Sequence, residues 1–418
     1  MRSVRRSLVA VVMLAVMAPL MLTACKDGAS GPAAAAGITG GSPSAPVSGK
    51  PQTESGTTGG KSTASIVVTP VNGKKNVPVS AEIGVKVSGG KIATVTVKDA
   101  KGGSVAGTLR DDGSAWVPSK PLKNNQRYAA TVTATDGAGA VTKETTSFTT
   151  MAKPARETGT GLYLFDERTY GVAMPVVVEF VPGIRKADRA AVQKRMFVKT
   201  DPPQPGAWSW TSSGTQAYYR APQFWQSGTT LTVRIAVGGL PTGDGRFGDQ
   251  DRSATAKIGR SLVMKVENKT KKMTVVQDGE TIKTMPVSLG KPSTPSSSGT
   301  MVVMDKQTST VFDTTDTDGD NGYKMTIDYA QRLTWSGQYI HSAPWSVGAQ
   351  GHRNVSHGCV NLSPSNARWI FGKTLIGDPI TVTGTGDKLV QGNGWTPWDL
   401  SWTDFVKGSA LPVPAQLS

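Results

Sequence analysis

From about Ser65 to Thr150, apolar and polar positions alternate in short runs broken by turn residues. "AEIGVKVSG" puts Ile83, Val85 and Val87 on one face, and "IATVTVKD" carries Ile92, Thr94 and Val97 in the same style. "RYAATVTATDGAGAVTKETTSFTT" reads as two strands joined at a glycine-rich turn. Alternation at period two with frequent turns predicts half-buried strands in a β-sandwich. Residues 152–257 repeat the theme, with a strand over Val176 to Phe180 and a short helix in "RKADRAAVQKRM". Beyond Arg260 the pattern changes little. "SLVMKVEN" sets Leu262, Met264 and Val266 on one side, and "KKMTVVQDGETIKTMPVSLG" predicts a hairpin at Asp278-Gly279, where both turn residues must take φ > 0. "ITVTG", Ile380 to Gly384, reads as a closing strand. "SPSNARWIFGKTL" supplies a helix, with Ser363 as N-cap and Pro364 at the first helical position. The expected fold is mainly β: two sandwiches, residues 63–151 and 152–257, then a β-rich region over 258–384 with one or two short helices. Residues 385–418 hold Trp395, Trp398 and Trp402, which predicts a strap lying back on a domain rather than a free tail.

The N-terminus has a different character. Arg2, Arg5 and Arg6 precede an apolar run from Leu8 to Leu22, which ends at "LTAC". A basic head, a short apolar stretch and small residues predict an export signal over residues 1–24. The Leu-x-Ala-Cys ending resembles a bacterial lipoprotein lipobox, which implies cleavage before Cys25 and a lipid on its sulfur. An ordinary signal with a chance cysteine is the competing reading. Residues 25–62 are rich in Gly, Ser, Ala, Pro and Thr and predict a flexible tether. The expected location is the outer face of the cell membrane, held by the lipid alone and reaching into the wall.

The net charge of +16 is spread along the chain without a dense basic run, which argues against a nucleic-acid partner. A mildly basic surface suits an anionic envelope, or solubility alone. The aromatics Trp208, Trp210, Tyr218, Tyr219, Phe224 and Trp225 admit two readings, a sugar platform or a sandwich core. The acidic stretch with Asp244, Asp249 and Asp251 is either a calcium loop or a solvated turn, and it lacks the full spacing of a calcium loop.

The chemistry concentrates between Ile340 and Asn361. All three histidines, His341, His352 and His357, lie there with Cys359, one of only two cysteines. If Cys25 is lipidated, Cys359 has no partner within the chain, and a lone thiol in an exported protein suggests a reactive role or intermolecular pairing. A buried, inert cysteine is the bland alternative. A nearby imidazole can lower a thiol's pKa or remove its proton. If Asn354 to Asn361 is extended, His357, Cys359 and Asn361 point the same way. Zinc is a competing reading for three histidines and a cysteine, though the spacings match no common zinc motif. Spacing alone does not choose the base among the histidines, although His357 is too close in sequence to turn readily toward the sulfur.

His341, fourteen further residues beginning with Ser342, and then "SHGCVN" resembles the active-site signature of the L,D-transpeptidases, the YkuD-type cysteine enzymes of peptidoglycan. "HSAPWSVGAQGH" and "SPSNA" resemble the actinobacterial and mycobacterial branch. The resemblance covers about residues 65–410 and implies two Ig-like domains, a catalytic domain and a Trp-rich tail. It implies Cys359 as nucleophile and His341 as general base, oriented by the backbone carbonyl of Ser342. His357, Gly358 and Cys359 would supply backbone N–H groups to the oxyanion. Asn361 and Ser356 would shape the site, and Ser336 and Gly337 would contact substrate. Tyr323 matches a flap tyrosine, and Phe312 stands where close relatives carry methionine. His352 has a matching position without an assigned role.

The implied reaction is attack of the Cys359 thiolate on the diaminopimelate–D-Ala bond of a donor tetrapeptide stem. D-Ala leaves, and the acyl group passes to the side-chain amine of an acceptor diaminopimelate. The partners are peptidoglycan stem peptides, with carbapenem-type β-lactams as inhibitors and no metal or organic cofactor. Two alternatives stand beside it: an L,D-carboxypeptidase with water as acceptor, and a wall-binding Ig-like protein whose C-terminal domain is inactive.

Overall fold

The structure, a computed structural model, describes residues 61–313, 315 and 324–417. The export signal, Cys25, nearly all of the tether, and Tyr323 lie outside the described residues. The described residues fall within one unit, Gly59–Ser418.

The first sandwich forms as the alternation predicts. Ser65–Thr69, Ile83–Ser88, Ala115–Pro118 and Gly107–Leu109 build one sheet, in that order. Lys74–Val77, Val141–Thr150, Arg127–Asp136 and Gly90–Asp99 build the other. Ile83, Val97, Ala130, Val132 and Phe148 share its core. One run departs from simple alternation. The register of Gly90–Asp99 shifts between Ile92 and Thr94. That bulge turns Val97 inward and leaves Thr94 exposed, its hydroxyl 2.7 Å from that of Thr133.

The second sandwich pairs a six-stranded sheet, which includes Gln216–Arg220 and Val176–Val181, with a four-stranded one. A short helix, α1 (Arg189–Gln193), sits in the predicted place. Trp208, Trp210, Tyr218, Tyr219 and Trp225 are buried, so these aromatics are core and not a sugar platform. The acidic residues are each tied to an arginine: Asp244 to Arg185, Asp249 to Arg252 and Asp251 to Arg234. Their oxygens serve internal ion pairs rather than a calcium cage.

This core does not stop at the sandwich. Val302 and Met304 from the third region, and Trp395 and Phe405 from the C-terminal segment, join the same apolar cluster. The Arg220 guanidinium is buried between the rings of Trp398 and Phe405 at 4.7 and 4.4 Å, and donates to the Leu400 carbonyl at 2.9 Å. Trp398 donates its indole N–H to the Ala173 carbonyl at 2.7 Å. The tryptophans therefore fasten the strap to the second sandwich.

The third region holds two sheets. Its strands are β1 (Leu262–Glu267), β2 (Lys272–Gln277), β3 (Glu280–Pro286), β4 (Ser297–Val302), β5 (Asp305–Asp313), β6 (Lys324–Arg332), β7 (Tyr339–Ser342), β8 (Val360–Leu362), β9 (Pro379–Thr383) and β10 (Asp387–Lys388). One sheet runs β3-β2-β1-β9-β4-β10 and the other β5-β6-β7-β8. Asp278 and Gly279 take φ of 50° and 91°, as the β2–β3 hairpin requires. The expected closing strand, β9, sits mid-sheet, parallel to β1 and antiparallel to β4. Helix α2 (Pro364–Lys373) starts at Ser363, whose hydroxyl accepts the Asn366 N–H. A last short helix, α3 (Trp402–Val406), lies in the strap.

Candidate active site

The site is set by the register of β7 on β8. The two strands run parallel with Ile340 opposite Val360, His341 opposite Asn361 and Ser342 opposite Leu362. Ile340, Val360 and Leu362 are almost fully buried in the core of the third region. They fix the register, because a slip of one residue would carry apolar side chains to the wrong face. Alternation then sends Tyr339 and His341 from β7, and Asn361 from β8, to the opposite face. Cys359, one residue before β8, lines the same cavity as His341 and Asn361.

The stretch before β8 is not extended, contrary to expectation. Residues 357–359 bend, and Gly358 takes φ +120°, a conformation that side chains beyond glycine rarely adopt. The bend leaves His357 exposed and Cys359 buried, although both still line the one cavity with Asn361. Ser356 staples the turn. Its buried hydroxyl donates to the Cys359 carbonyl at 2.6 Å and accepts the Gly358 N–H at 3.1 Å. Ser356 thus builds the loop, and the Gly358 N–H, expected at the oxyanion, is already engaged. His357 Nε2 lies 3.0 Å from Lys291 Nζ, and His352 is exposed on the crossover.

His341 Nδ1 lies 2.8 Å from the Ser342 carbonyl. A carbonyl only accepts, so this contact assigns the proton to Nδ1 and leaves the Nε2 lone pair available. Burial lowers the pKa of His341, against the opposing effects of the Ser342 carbonyl and the Asn361 carboxamide. Asn361 Oδ1 is buried without a full hydrogen bond, while its Nδ2 donates to Ser346 Oγ at 3.3 Å. Burial pushes the Cys359 thiol up to about 12. Both shifts favour a neutral thiol and a neutral imidazole; of the two routes open from the sequence, a lowered thiol pKa or proton removal by an imidazole, they favour the second. The thiol points to the Gly337 carbonyl at 3.7 Å.

A cavity of about 340 Å³ opens over this pair. The β5–β6 hairpin roofs it with Phe312, Met325 and Ile327. The Phe312 ring lies 4.7 Å from that of Tyr339 and 5.6 Å from that of His341. A larger cavity of about 530 Å³ lies between the sandwiches, but its lining holds an ion network around Glu82 and neither cysteine nor histidine. Among the described residues, no three His, Cys, Asp or Glu side chains are grouped to hold a metal. Of the other expected residues, Gly337 sits against the sulfur, while Ser336 is held by Asn393 rather than facing Cys359.

Two further residues escaped the sequence reading. Trp345 is about half exposed, and its ring lies 6.0 Å from that of His341, tilted by 33°. Its signal was an aromatic beside Pro344 in a polar crossover. Asn393 has no local signal, because it comes from the distant strap.

Residues 74–241 match the bacterial Ig domain family and residues 261–382 the L,D-transpeptidase catalytic domain. L,D-transpeptidase 2 of Mycobacterium tuberculosis is 36% identical over 355 residues, covering 84% of this chain and 85% of that protein. L,D-transpeptidase 5 of the same organism is 33% identical over 355 residues, covering 83% and 77%. The solved structure of the L,D-transpeptidase LdtMt1 in complex with imipenem is 35% identical and covers 55% of this chain and all of that one, with a TM-score of 0.46. The identity to L,D-transpeptidase 2 runs through the sandwiches as well as the catalytic sheets, and the chain belongs to the L,D-transpeptidase family.

Proposed function

We propose that this L,D-transpeptidase joins peptidoglycan stems through their third residues, with Cys359 as nucleophile and His341 as base. The observation that carries the reading is the neutral pair: a buried thiol, and an imidazole whose Nδ1 is anchored on the Ser342 carbonyl. As sulfur attacks the carbonyl of the diaminopimelate–D-Ala bond, the thiol proton passes to His341 Nε2. Collapse of the tetrahedral intermediate breaks the C–N bond, and the imidazolium returns the proton to the departing D-Ala amine. The side-chain amine of an acceptor diaminopimelate then attacks the thioester, loses a proton to His341 and expels the thiol. Backbone N–H groups of the 357–359 bend hold the oxyanion, Gly358 joining once Ser356 releases its N–H. Ser336, Gly337, Asn361, Phe312 and Tyr323 shape the substrate cleft.

The apolar roof of Phe312, Met325 and Ile327 favours an amine acceptor over water, and so transpeptidation over L,D-carboxypeptidation. Carbapenems acylate the same sulfur, as the imipenem complex of a relative suggests. Residues 63–151 and 152–257 serve as Ig-like spacers ahead of a catalytic domain over 258–384, held to the outer membrane face through lipid on Cys25. Loss of labelled palmitate in Cys25→Ser tests that anchor.

The decisive experiment incubates purified protein with a tetrapeptide stem and separates products by mass. Crosslinked dimer with free D-Ala is expected, along with carbapenem mass added at Cys359. Tripeptide alone would mark a carboxypeptidase. Full crosslinking by Cys359→Ala would overturn the assignment of the nucleophile.

A further inference from the structure

The C-terminal strap reaches the cysteine through one side chain. Asn393 Oδ1 accepts the Ser336 backbone N–H at 2.9 Å, and its Nδ2 donates to Ser336 Oγ at 2.9 Å. This two-point clamp holds the turn between β6 and β7. Within the turn, Gln338 N–H donates to Thr334 Oγ1 at 3.0 Å, and Gly337 takes φ +95°. The turn leans on the cysteine loop at two places. The Gly337 carbonyl receives the Cys359 thiol, and a Cβ placed on Gly358 would lie 3.5 Å from Gln338 Cγ. The strap is itself anchored at the next residue, since the Gly394 carbonyl accepts the Tyr218 hydroxyl of the second sandwich at 3.0 Å. Trp395 follows, buried and edge-on to Tyr163 at 5.6 Å.

We propose that Asn393 is a positioning residue for Cys359, fixing the Gly337 carbonyl against the thiol and thereby linking the second sandwich to the nucleophile. The inference rests on Cys359 being the nucleophile. A carbonyl oxygen accepts from the protonated thiol and repels a thiolate, so its place governs both the aim of the sulfur and the ease of its ionisation. The other titratable groups around Cys359 are Tyr339 and His341 on β7 and His357 on its own loop, with Lys291 behind His357. The clamp touches none of their side chains; the turn it holds runs into Tyr339, whose backbone N–H also meets the sulfur and lowers the thiol pKa, so the clamp places both backbone contacts of Cys359.

The test compares full-length wild type, Asn393→Ala and Asn393→Asp. Three readouts are needed: turnover of a tetrapeptide stem pair, the pH dependence of the ultraviolet thiolate absorbance of Cys359, and unfolding in urea. Asn393→Ala is expected to lower kcat about tenfold to a hundredfold with little change in KM, because misplacing the sulfur by an ångström is enough for that. Its thiolate absorbance should begin at lower pH, while the urea midpoint stays put. Asn393→Asp retains the acceptor for the Ser336 N–H, should recover part of the turnover, and serves in place of Asn393→Ala should that variant fail to fold. Wild-type turnover and absorbance in both variants would overturn the proposal. So would a fall in turnover with an unmoved absorbance profile, or a moved profile with intact turnover. These outcomes are separate from failure of the nucleophile assignment, which Cys359→Ala reads on its own.

Discussion

Burial acts on His341 and Cys359 in opposite senses, lowering the affinity of the imidazole for a proton and raising that of the thiol. In the proposed reaction, proton transfer would then accompany attack instead of preceding it. The base form of His341 persists below the ordinary histidine value of about 6.5. Acylation by a carbapenem should stay flat through neutral pH and fall only below the ordinary histidine range, as stopped-flow rates across a pH series would show. Ser342 offers a sharper contrast. It orients His341 through its backbone carbonyl, so Ser342→Ala should keep kcat within about threefold. A loss of a hundredfold would mean that the hydroxyl matters. At this scale the residues of the pair were legible because they are scarce. Their geometry was not. The choice of His341 over His352 and His357 depends on the pairing of two strands far apart in sequence, and the rotation of His357 depends on a single backbone angle at Gly358.

Among the elements, those with local causes were the readable ones. The Asp278-Gly279 turn and the Ser363–Pro364 helix start carry their reasons within a few residues. The bulge at Ile92–Thr94 and the mid-sheet place of β9 do not, because each is decided by a partner strand. The strap shows the same limit. Three tryptophans predicted docking, but only the folded chain identifies Arg220 as the counterpart of Trp398 and Trp402, and Tyr163 as that of Trp395. This guanidinium is buried, its Nε has no partner, and carbonyls and rings surround it. Burial lowers its pKa to about 10, so it remains charged at neutral pH. Arg220→Ala should remove the stacking and the bonds to carbonyls together, at a cost of about 3 kcal/mol. Urea unfolding of the full chain measures it, and a change under about 0.5 kcal/mol would show that the strap holds without it.

Across the whole molecule, the two sandwiches meet at a carboxylate shared by two arginines. Glu82 accepts from Arg110 at 2.9 Å and from the buried Arg195 at 2.7 Å. Burial alone would raise the pKa of Glu82, but the hydrogen bonds from both arginines outweigh it and hold the pKa below the usual value. A lowered carboxylate pKa stabilises the joint above the unfolded value of about 4.3, and that support is lost as the pH falls through the folded pKa. Glu82→Gln at neutral pH should leave Arg195 buried without its counter-ion and destabilise the joint by about 3 kcal/mol. Small-angle scattering should then record a longer and more variable particle, and an unchanged profile would refute the idea. The parallel pairing of β7 with β8 has a different consequence, one of time. Parallel strands cannot be joined by a tight turn, so the segment from Ala343 to Cys359 must close before His341 and Asn361 come level. Closure of that loop precedes any reward from the contacts it makes. A refolding chain would recover its sheets and caps first and its reactive thiol last, so the binding of a carbapenem could serve as a clock for the final step of folding.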